Sequence, residues 1–368
     1  MSNDNIFSGY PSFILPQRPF FSIIIPCYNS RKTLGALLES IEAQDMEDEI
    51  EVILSDDCST ESYQDIVEMY NDNLSIRQIK TDYNFGPGNT REKGVSIAEG
   101  EWVCFADHDD EFIPGSLKKI KDVLIKSGEQ YYAIANFLEM NPDTKEVIRE
   151  MKEFRNWNHA KFYNLDNFWK AFDIHFKKDL LTHEDIYISS RVNCAILAAN
   201  GDNPLYINEF CYIWNARPTT ISREKYGNHS FMEAFFNDYI LSTGSVYIEE
   251  FEKNRIDRDY ALHSAIEVLL FCYFYTESFK FHHPSDYIRE NDDYCRKFLI
   301  EIKDVFGVDN KFIWDYAAYN DANMYMTVRK TADIASGPYI ESNTFSQWLD
   351  YLHKDIKSRV TMSDAMHK

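Results

Sequence analysis

The segment FADHDDEF at residues 105–112 places four acidic residues and one histidine directly after an apolar run. Carboxylates repel one another, so Asp107, Asp109 and Asp110 at a strand end favour a bound cation. Asp107 and Asp109 lie two positions apart, so both carboxylates can be directed at one point. Oxygen ligands of this kind suit Mg2+ or Mn2+. The same segment is also compatible with an acidic turn that caps a helix.

Two other polar segments follow apolar runs. In SDDCST, residues 55–60, Asp56 or Asp57 can accept a hydrogen bond from a nucleobase or a ribose hydroxyl. In PCYN, residues 26–29, backbone groups and the Tyr28 ring can contact a nucleobase. Both segments are equally compatible with ordinary turns whose side chains bind nearby backbone amides.

Cationic and acidic groups occur in two further segments. NFGPGNTREKG, residues 84–94, contains Arg91, a candidate partner for a diphosphate, and matches neither GxGxxG nor the P-loop pattern. In LTHEDIYISSRV, residues 181–192, Glu184 or Asp185 is a candidate general base for an acceptor hydroxyl. The alternative for that pair is stabilisation of a helix N-terminus.

The first third of the chain alternates strands with helices. Continuous apolar runs predict strands at residues 20–26, 51–57, 75–81, 101–107 and 131–137. Apolar spacing predicts helices around Leu34–Ile41, Ile66–Tyr70, Val95–Ala98 and Leu117–Leu124, with residues 84–89 as a loop. This alternation predicts a mainly parallel sheet, with ligands beyond the carboxyl ends of its strands. The polar segments that follow the strands should therefore share one edge.

Composition limits the class of protein. The chain has 368 residues and is 44% hydrophobic, enough for two domains with a large core. Its formal net charge of −22 argues against general nucleic-acid binding. Seven cysteines without a CxxC pair suggest a reducing compartment and no zinc site. The N-terminus does not resemble a secretion signal, and the strongest apolar run, residues 265–275, is too short to cross a bilayer. We therefore expect a cytoplasmic protein, with peripheral membrane contact left open.

The C-terminal part of the chain has a different pattern of apolar residues. From about residue 230, aromatic residues recur at helical spacing, which predicts a mostly helical second domain with most aromatics in its core. We expect this domain to position the acceptor or to mediate self-association. The predicted divisions are an N-terminal extension at residues 1–19, a catalytic domain at 20–228 and the helical domain at 229–368.

Together, the order of these segments over residues 20–225 resembles family 2 glycosyltransferases of the GT-A fold. SIIIPCYN resembles the opening strand and nucleotide loop of that family, and VILSDDCST resembles its V-D-D-G-S-T segment. NFGPGNTREKG and DHDD resemble the N-x-G-x-x-x-A-R-N-x-G stretch and the D-x-D motif. HAKFY and THED resemble the H-G-K-x-Y and E-D elements of bacterial members.

The resemblance implies a nucleotide-sugar site in the first half of the chain. Asp57 would contact the uracil edge with Asp56 beside it, and Arg91 would approach the diphosphate or donor sugar. The residues implied to line the nucleotide pocket are Pro26, Tyr28 and Asn29.

The resemblance also implies a metal and a base. Asp107 and Asp109 would form the D-x-D motif, with Asp109 favoured as the direct metal ligand. Asp185 would be the base, supported by Glu184. The residues implied to lie near the diphosphate or the acceptor are His159 and Lys161.

Some positions depart from the family pattern. Cys58 replaces the glycine after the aspartate pair, so a positive φ there would be strained. Ala160 replaces the glycine of H-G-K. The chain lacks the Q-x-x-R-W motif of processive synthases, which favours one sugar added per encounter.

The implied function is an inverting, metal-dependent transfer of one sugar from a nucleotide-sugar donor, a UDP-sugar, to a hydroxyl. The expected cofactor is Mn2+ or Mg2+. The expected acceptor is a cell-surface glycan, a teichoic acid or a lipid-linked saccharide. Four alternatives remain at this point: a sugar nucleotidyltransferase, a non-catalytic nucleotide-sugar-binding module, a transferase acting on a modified DNA base and one acting on a protein.

Overall fold

The computed structural model describes residues 18–128, 130–152, 159–176, 184–198, 204–216, 240–282, 290–309 and 312–313. The chain divides into two compact units. One contains residues 1–154, 158–173 and 205–216, and the other contains 155–157, 174–204 and 217–368. The predicted domain boundaries at residues 19/20 and 228/229 stay predictions, because residues 1–17 and 217–239 lie outside the described residues.

The first unit is built on a mixed sheet whose strands are β1 (Phe21–Cys27), β2 (Ile50–Asp56), β3 (Ser75–Lys80), β4 (Trp102–Phe105), β5 (Glu111–Phe112), β6 (Tyr132–Met140), β7 (Val147–Met151), β8 (Lys161–Asn164) and β9 (Leu205–Asn215). Their order is β3-β2-β1-β4-β8-β6-β9-β5, and β7 pairs with β6. The four strands β3, β2, β1 and β4 are parallel, as predicted. Beyond them, β8 runs antiparallel to both β4 and β6.

Burial explains the parallel half of the sheet. Every residue of β1 and β2 is buried, as expected for apolar, β-branched runs covered on both faces. The predicted strand at residues 101–107 is shorter in the structure, because β4 ends at Phe105. Asp107 consequently belongs to the loop that follows β4.

Four helices accompany this sheet: α1 (Arg31–Glu42), α2 (Gln64–Tyr70), α3 (Pro87–Ser96) and α4 (Ser116–Lys126). All four were predicted, but α3 begins inside the segment 84–89 that was predicted as a loop. Proline has no amide hydrogen and a helix-compatible φ, so Pro87 is suited to a first helical turn. Short helical turns also cover Glu47–Glu49 and Leu165–Lys170.

The second unit is helical in its described parts, as predicted for the C-terminal part of the chain. Its helices are α5 (Glu184–Ala198), α6 (Ser245–Glu252), α7 (Arg258–His282) and α8 (Glu290–Phe306), with a π-helical turn at Ile240–Gly244. Buried Arg191 of α5 is paired with Glu249 and Glu250 of α6, so charge as well as packing joins these helices. Within the described residues, no helix combines the length and the apolar character that crossing a membrane requires.

Candidate functional site

The polar segments predicted to share one edge of the sheet do so. β2 and β4 flank β1 in parallel, so the three strands end at the same side. Asn29 N donates to Ser59 Oγ at 2.9 Å, and Thr60 N donates to Asn29 Oδ1 at 3.0 Å. On the other side, Thr33 Oγ1 lies 2.9 Å from His108 Nδ1. Hydrogen bonds therefore connect the loops that follow β1 and β2, and a further contact joins helix α1 to the loop that follows β4.

The residues predicted to line a nucleotide pocket lie at the end of β1. Pro26 is in register with Ser55 of β2, and the Tyr28 side chain is 49% exposed. Asn29 has a φ of +49°, which turns the chain out of the strand. A nucleobase could reach the exposed Tyr28 ring, and the pocket role of these residues stays a prediction.

Asp56 makes the contacts expected of an ordinary turn, which was the alternative to a nucleotide contact. Its Oδ1 accepts from Ser59 N at 2.9 Å, and its Oδ2 lies 3.1 Å from Lys80 Nζ. The side chain is buried, so these contacts fix the loop after β2.

Asp57 holds a second loop. Its Oδ1 and Oδ2 accept hydrogen bonds from Phe85 N at 2.9 Å and Gly86 N at 2.7 Å. The Thr81 hydroxyl donates to the same carboxylate at 3.2 Å. A carboxylate has about four acceptor positions, so a further bond to a base remains chemically available. Contact with uracil stays a prediction.

A charged cluster lies beyond the end of β4. Arg91 of α3 is buried, and its Nη2 donates to Asp107 Oδ1 at 2.7 Å. His159 Nε2 lies 3.6 Å from Asp107 Oδ2 and 3.6 Å from Asp110 Oδ2. One ligand atom each from Asp107, Asp110 and His159 lies within 4.8 Å of the others.

The pKa values of the two carboxyl groups in this cluster are shifted in opposite directions. Burial raises the pKa of Asp107, but Arg91 and His159 outweigh it and hold that pKa well below its usual range. Burial raises the pKa of Asp110, and the charges of Asp107 and Asp109 raise it further. The arrangement thus keeps one carboxylate ionised and leaves the other short of positive charge.

The cluster suits a divalent cation. Two carboxylates and an imidazole are acceptable ligands for Mn2+ and, through the oxygens, for Mg2+. Beside them, the buried Asn215 Oδ1 has no hydrogen-bond partner within the described residues. Asp109 is half-buried and lies outside the group of three, so its role as the direct ligand stays a prediction.

Three other predicted site residues lie on defined elements. Lys161, the first residue of β8, is 1% exposed. Glu184 and Asp185 begin α5, in the second unit, and their side chains lie outside the described part of the chain. The roles of Lys161, Glu184 and Asp185 therefore stay predictions.

Both positions that depart from the family glycines have left-handed backbone. Cys58 has a φ of +65° and Ala160 has a φ of +55°. The strain predicted at Cys58 is thus present in the fold, and Ala160 adopts the same conformation immediately after His159.

Two buried contacts of the cluster were not predicted. Tyr212 and Asn215 of β9 bind the loop that contains Asp107 and Asp110. No strand was predicted at residues 205–215, and the segment YIWN by itself gives no indication of a role beside the acidic residues.

Comparison with known proteins identifies the domain. Residues 22–183 match the family described as Glycosyl transferase family 2. These residues form a family 2 glycosyltransferase domain. A solved structure of Staphylococcus aureus TarS, residues 1–349, aligns with a TM-score of 0.58 at 22% identity, covering 87% of this chain and 93% of that one. The glycosyltransferase domain therefore has the predicted GT-A fold.

Curated relatives align over shorter segments. The chain is 44% identical over 101 residues to the poly(ribitol-phosphate) beta-N-acetylglucosaminyltransferase TarS of S. aureus, covering 27% of this chain and 18% of that protein. It is 33% identical over 115 residues to the GalNAc(5)-diNAcBac-PP-undecaprenol beta-1,3-glucosyltransferase of Campylobacter jejuni, covering 31% and 36%. The chain thus matches well under half the length of these relatives.

Proposed function

We propose that the chain is an inverting, metal-dependent glycosyltransferase that moves one sugar from a UDP-sugar to an acceptor hydroxyl. The observation that carries this proposal is the cluster of Asp107, Asp110 and His159 beside buried Arg91, within a family 2 domain. A TarS structure with a similar fold contains UDP-GlcNAc, which supports a uridine nucleotide as the donor.

The cluster would act on the leaving group. A divalent cation held by Asp107, Asp110 and His159, with Asp109 as a further candidate, would supply positive charge to the departing diphosphate. Arg91 would add a permanent positive charge and hydrogen bonds to phosphate oxygens. In this arrangement Asp107 also orients Arg91, because the two are joined at 2.7 Å.

Asp185 would act on the acceptor. As general base, with Glu184 beside it, it would remove the hydroxyl proton while the acceptor oxygen attacks the anomeric carbon. Attack on the face opposite the leaving diphosphate inverts the configuration at that carbon. A positioned base contributes roughly 100-fold to 10,000-fold to the rate.

The acceptor we favour is a teichoic acid or a lipid-linked saccharide at the cytoplasmic side of a cell envelope. The names of the two relatives, one acting on poly(ribitol phosphate) and one on an undecaprenol-linked glycan, support this class. Free cysteines in the described residues suit a reducing compartment, which supports a cytoplasmic location.

A donor screen tests the proposal. The purified chain is incubated with a panel of UDP- and GDP-sugars, with Mn2+, Mg2+ or EDTA, and with poly(ribitol phosphate) or lipid-linked saccharides. We expect UDP release and sugar transfer from a UDP-sugar, loss of both in EDTA, and an inverted anomeric centre in the product by NMR. Binding of UDP-sugars without transfer to any acceptor would favour a non-catalytic module instead.

The base is tested separately. Asp185→Asn should abolish transfer, because an amide cannot take the proton, while UDP-sugar binding measured by calorimetry is retained. Glu184→Gln should reduce transfer less, because we assign it only a supporting role. An Asp185→Asn variant with normal turnover would remove Asp185 from the mechanism.

A further inference from the structure

The acidic loop at residues 107–111 needs support from the rest of the fold. It contains four carboxylates in five residues, Asp107, Asp109, Asp110 and Glu111. Their mutual repulsion opposes any compact arrangement. A main-chain hydrogen bond from Asp110 N to Asp107 O, 3.0 Å long, closes the turn. That bond shapes the backbone but does not orient the carboxylates.

The Tyr212 hydroxyl orients one of them, the Asp110 carboxylate, and holds the main chain at Asp107. It accepts a hydrogen bond from Asp107 N at 2.9 Å and donates one to Asp110 Oδ2 at 2.8 Å. The side chain is completely buried, so the hydroxyl has no competing contact with solvent. The Tyr212 ring also packs against the His159 ring, with centroids 5.3 Å apart. A single side chain of β9 therefore touches Asp107, Asp110 and His159.

Asn215 binds the same loop through other atoms. Its main-chain N donates to Asp110 Oδ1 at 2.9 Å. Its side-chain Nδ2 donates to Asp109 O at 2.9 Å and to Glu111 Oε1 at 3.2 Å. Tyr212 and Asn215 are three positions apart on a strand, so their side chains leave opposite faces. Together they bind every acidic residue of the loop, through main-chain or side-chain atoms.

We propose that Tyr212 and Asn215 are positioning residues that fix the Asp110 carboxylate, and the loop that carries it, at the separation from the Asp107 carboxylate that a divalent cation requires. This inference rests on the metal dependence in the proposed function. Repelling carboxylates move apart when nothing restrains them, so a preformed pair binds a cation with less rearrangement. Outer partners of metal ligands typically change metal affinity by about 10-fold to 100-fold.

Mn2+ affinity tests the inference without relying on turnover. The full chain is titrated with Mn2+ in the presence of UDP, by calorimetry and by the EPR signal of free Mn2+. Tyr212→Phe removes only the hydroxyl and should raise the Kd for Mn2+ about 10-fold to 100-fold. Tyr70→Phe is the matched control, because its hydroxyl donates to Gly35 O at 3.0 Å, far from the acidic loop in the sequence. This control should leave the Kd unchanged.

A second variant guards against a folding defect. Asn215→Ala removes the side-chain bonds but keeps the main-chain bond to Asp110, and it should raise the Kd in the same direction. Tyr212→Phe combined with Asp110→Asn should bind Mn2+ no more weakly than Asp110→Asn alone, because Tyr212 acts through Asp110. A merely structural role would instead give additive losses.

The outcomes separate this inference from the proposed function. If the wild-type chain binds Mn2+ and both Tyr212→Phe and Asn215→Ala bind it equally well, the positioning role is wrong and metal dependence stands. If the wild-type chain does not bind Mn2+ with UDP present, both the proposed metal dependence and the proposed positioning role are wrong.

Discussion

At Asp57 both carboxylate oxygens accept main-chain hydrogen bonds, because the amides of Phe85 and Gly86 lie 2.9 and 2.7 Å away. The loop that these bonds hold carries exposed aromatic rings, Tyr83 at 71% and Phe85 at 47%. The two rings are in edge contact, with centroids 6.1 Å apart. In the proposed nucleotide site, Asp57 would act by shaping this loop, by contacting the base directly, or by both.

Two substitutions separate these effects. Asp57→Ala should weaken UDP binding at least 10-fold, because a hydrogen bond to a charged group contributes about 1.5–3 kcal/mol. Asp57→Asn should shift preference from UDP toward CDP if the side chain reads the base, and should weaken both nucleotides in proportion if it only holds the loop. Calorimetry with both nucleotides measures the difference. Asp82→Asn, at an exposed neighbour, is the charge-matched control and should bind both nucleotides as the wild type does.

Cys58 allows a test of backbone strain at the same loop. Its φ of +65° lies in the left-handed region, which costs about 1–2 kcal/mol for a residue with a Cβ. Cys58→Gly should therefore be at least as stable as the wild type, whereas Cys58→Val should lose about 1–2 kcal/mol. Urea unfolding measures both. Ala43→Gly, at an ordinary φ of −66°, should lose about 0.5–1 kcal/mol, so a similar loss at Cys58→Gly would contradict the strain.

At the level of strands, the chain just before β4 lies so close to β1 that Gly100 has no room for a side chain. A Cβ on Gly100 would lie 2.5 Å from Ser22 Oγ and 2.7 Å from Ser22 N. The amide of Gly100 also donates to Ser22 Oγ at 2.8 Å and to buried Glu51 Oε1 at 2.9 Å. Because part of this contact is main chain, a larger residue must push β1 and β4 apart.

Gly100→Ala should accordingly lower the free energy of unfolding in urea by about 1–3 kcal/mol, the usual range for overpacking. Gly128→Ala is the control: it has a φ of +74° but no atom within 4 Å of an added Cβ. It should lose only about 1–2 kcal/mol, the cost of left-handed backbone. Equal stability of Gly100→Ala and the wild type would mean that β1 and β4 are not packed as closely as the structure has them.

The elements also explain which parts of the fold the sequence could predict. β1, β2 and β4 are continuous apolar runs, so their type and parallel order follow from local pattern and short connections. β8 has four residues, and its antiparallel position between β4 and β6 depends on pairing with distant segments. Local periodicity contains no information on that pairing.

The same limit applies to the site. Asp107 is the last residue of the predicted strand 101–107, and Arg91 follows the predicted loop 84–89. Their placement at one edge could therefore be expected, and their contact is found. Asp110 meets Tyr212 across 102 positions of sequence. A tyrosine in an apolar strand gives no local sign of a polar partner, which is why the sequence did not predict it.

For the whole molecule, charge dominates the expected response to solution conditions. The chain has 60 acidic and 38 basic residues, a formal net charge of −22. Such an excess of one sign destabilises the compact state through repulsion, and salt screens this repulsion over about 10 Å at 0.1 M. The same charge repels nucleic acids.

Raising the NaCl concentration should therefore raise the melting temperature, because screening weakens repulsion that is stronger in the folded state than in the expanded one. Differential scanning fluorimetry across a salt series measures the trend. Mn2+ should raise the melting temperature further at constant ionic strength, since a specific ligand stabilises by about 2.7 kcal/mol at 100 times its Kd. A melting temperature that falls as NaCl rises would mean that ion pairs such as Arg91 with Asp107 outweigh the general repulsion. Equal shifts in melting temperature from Mn2+ and from NaCl at matched ionic strength would mean that the acidic loop does not bind Mn2+ specifically.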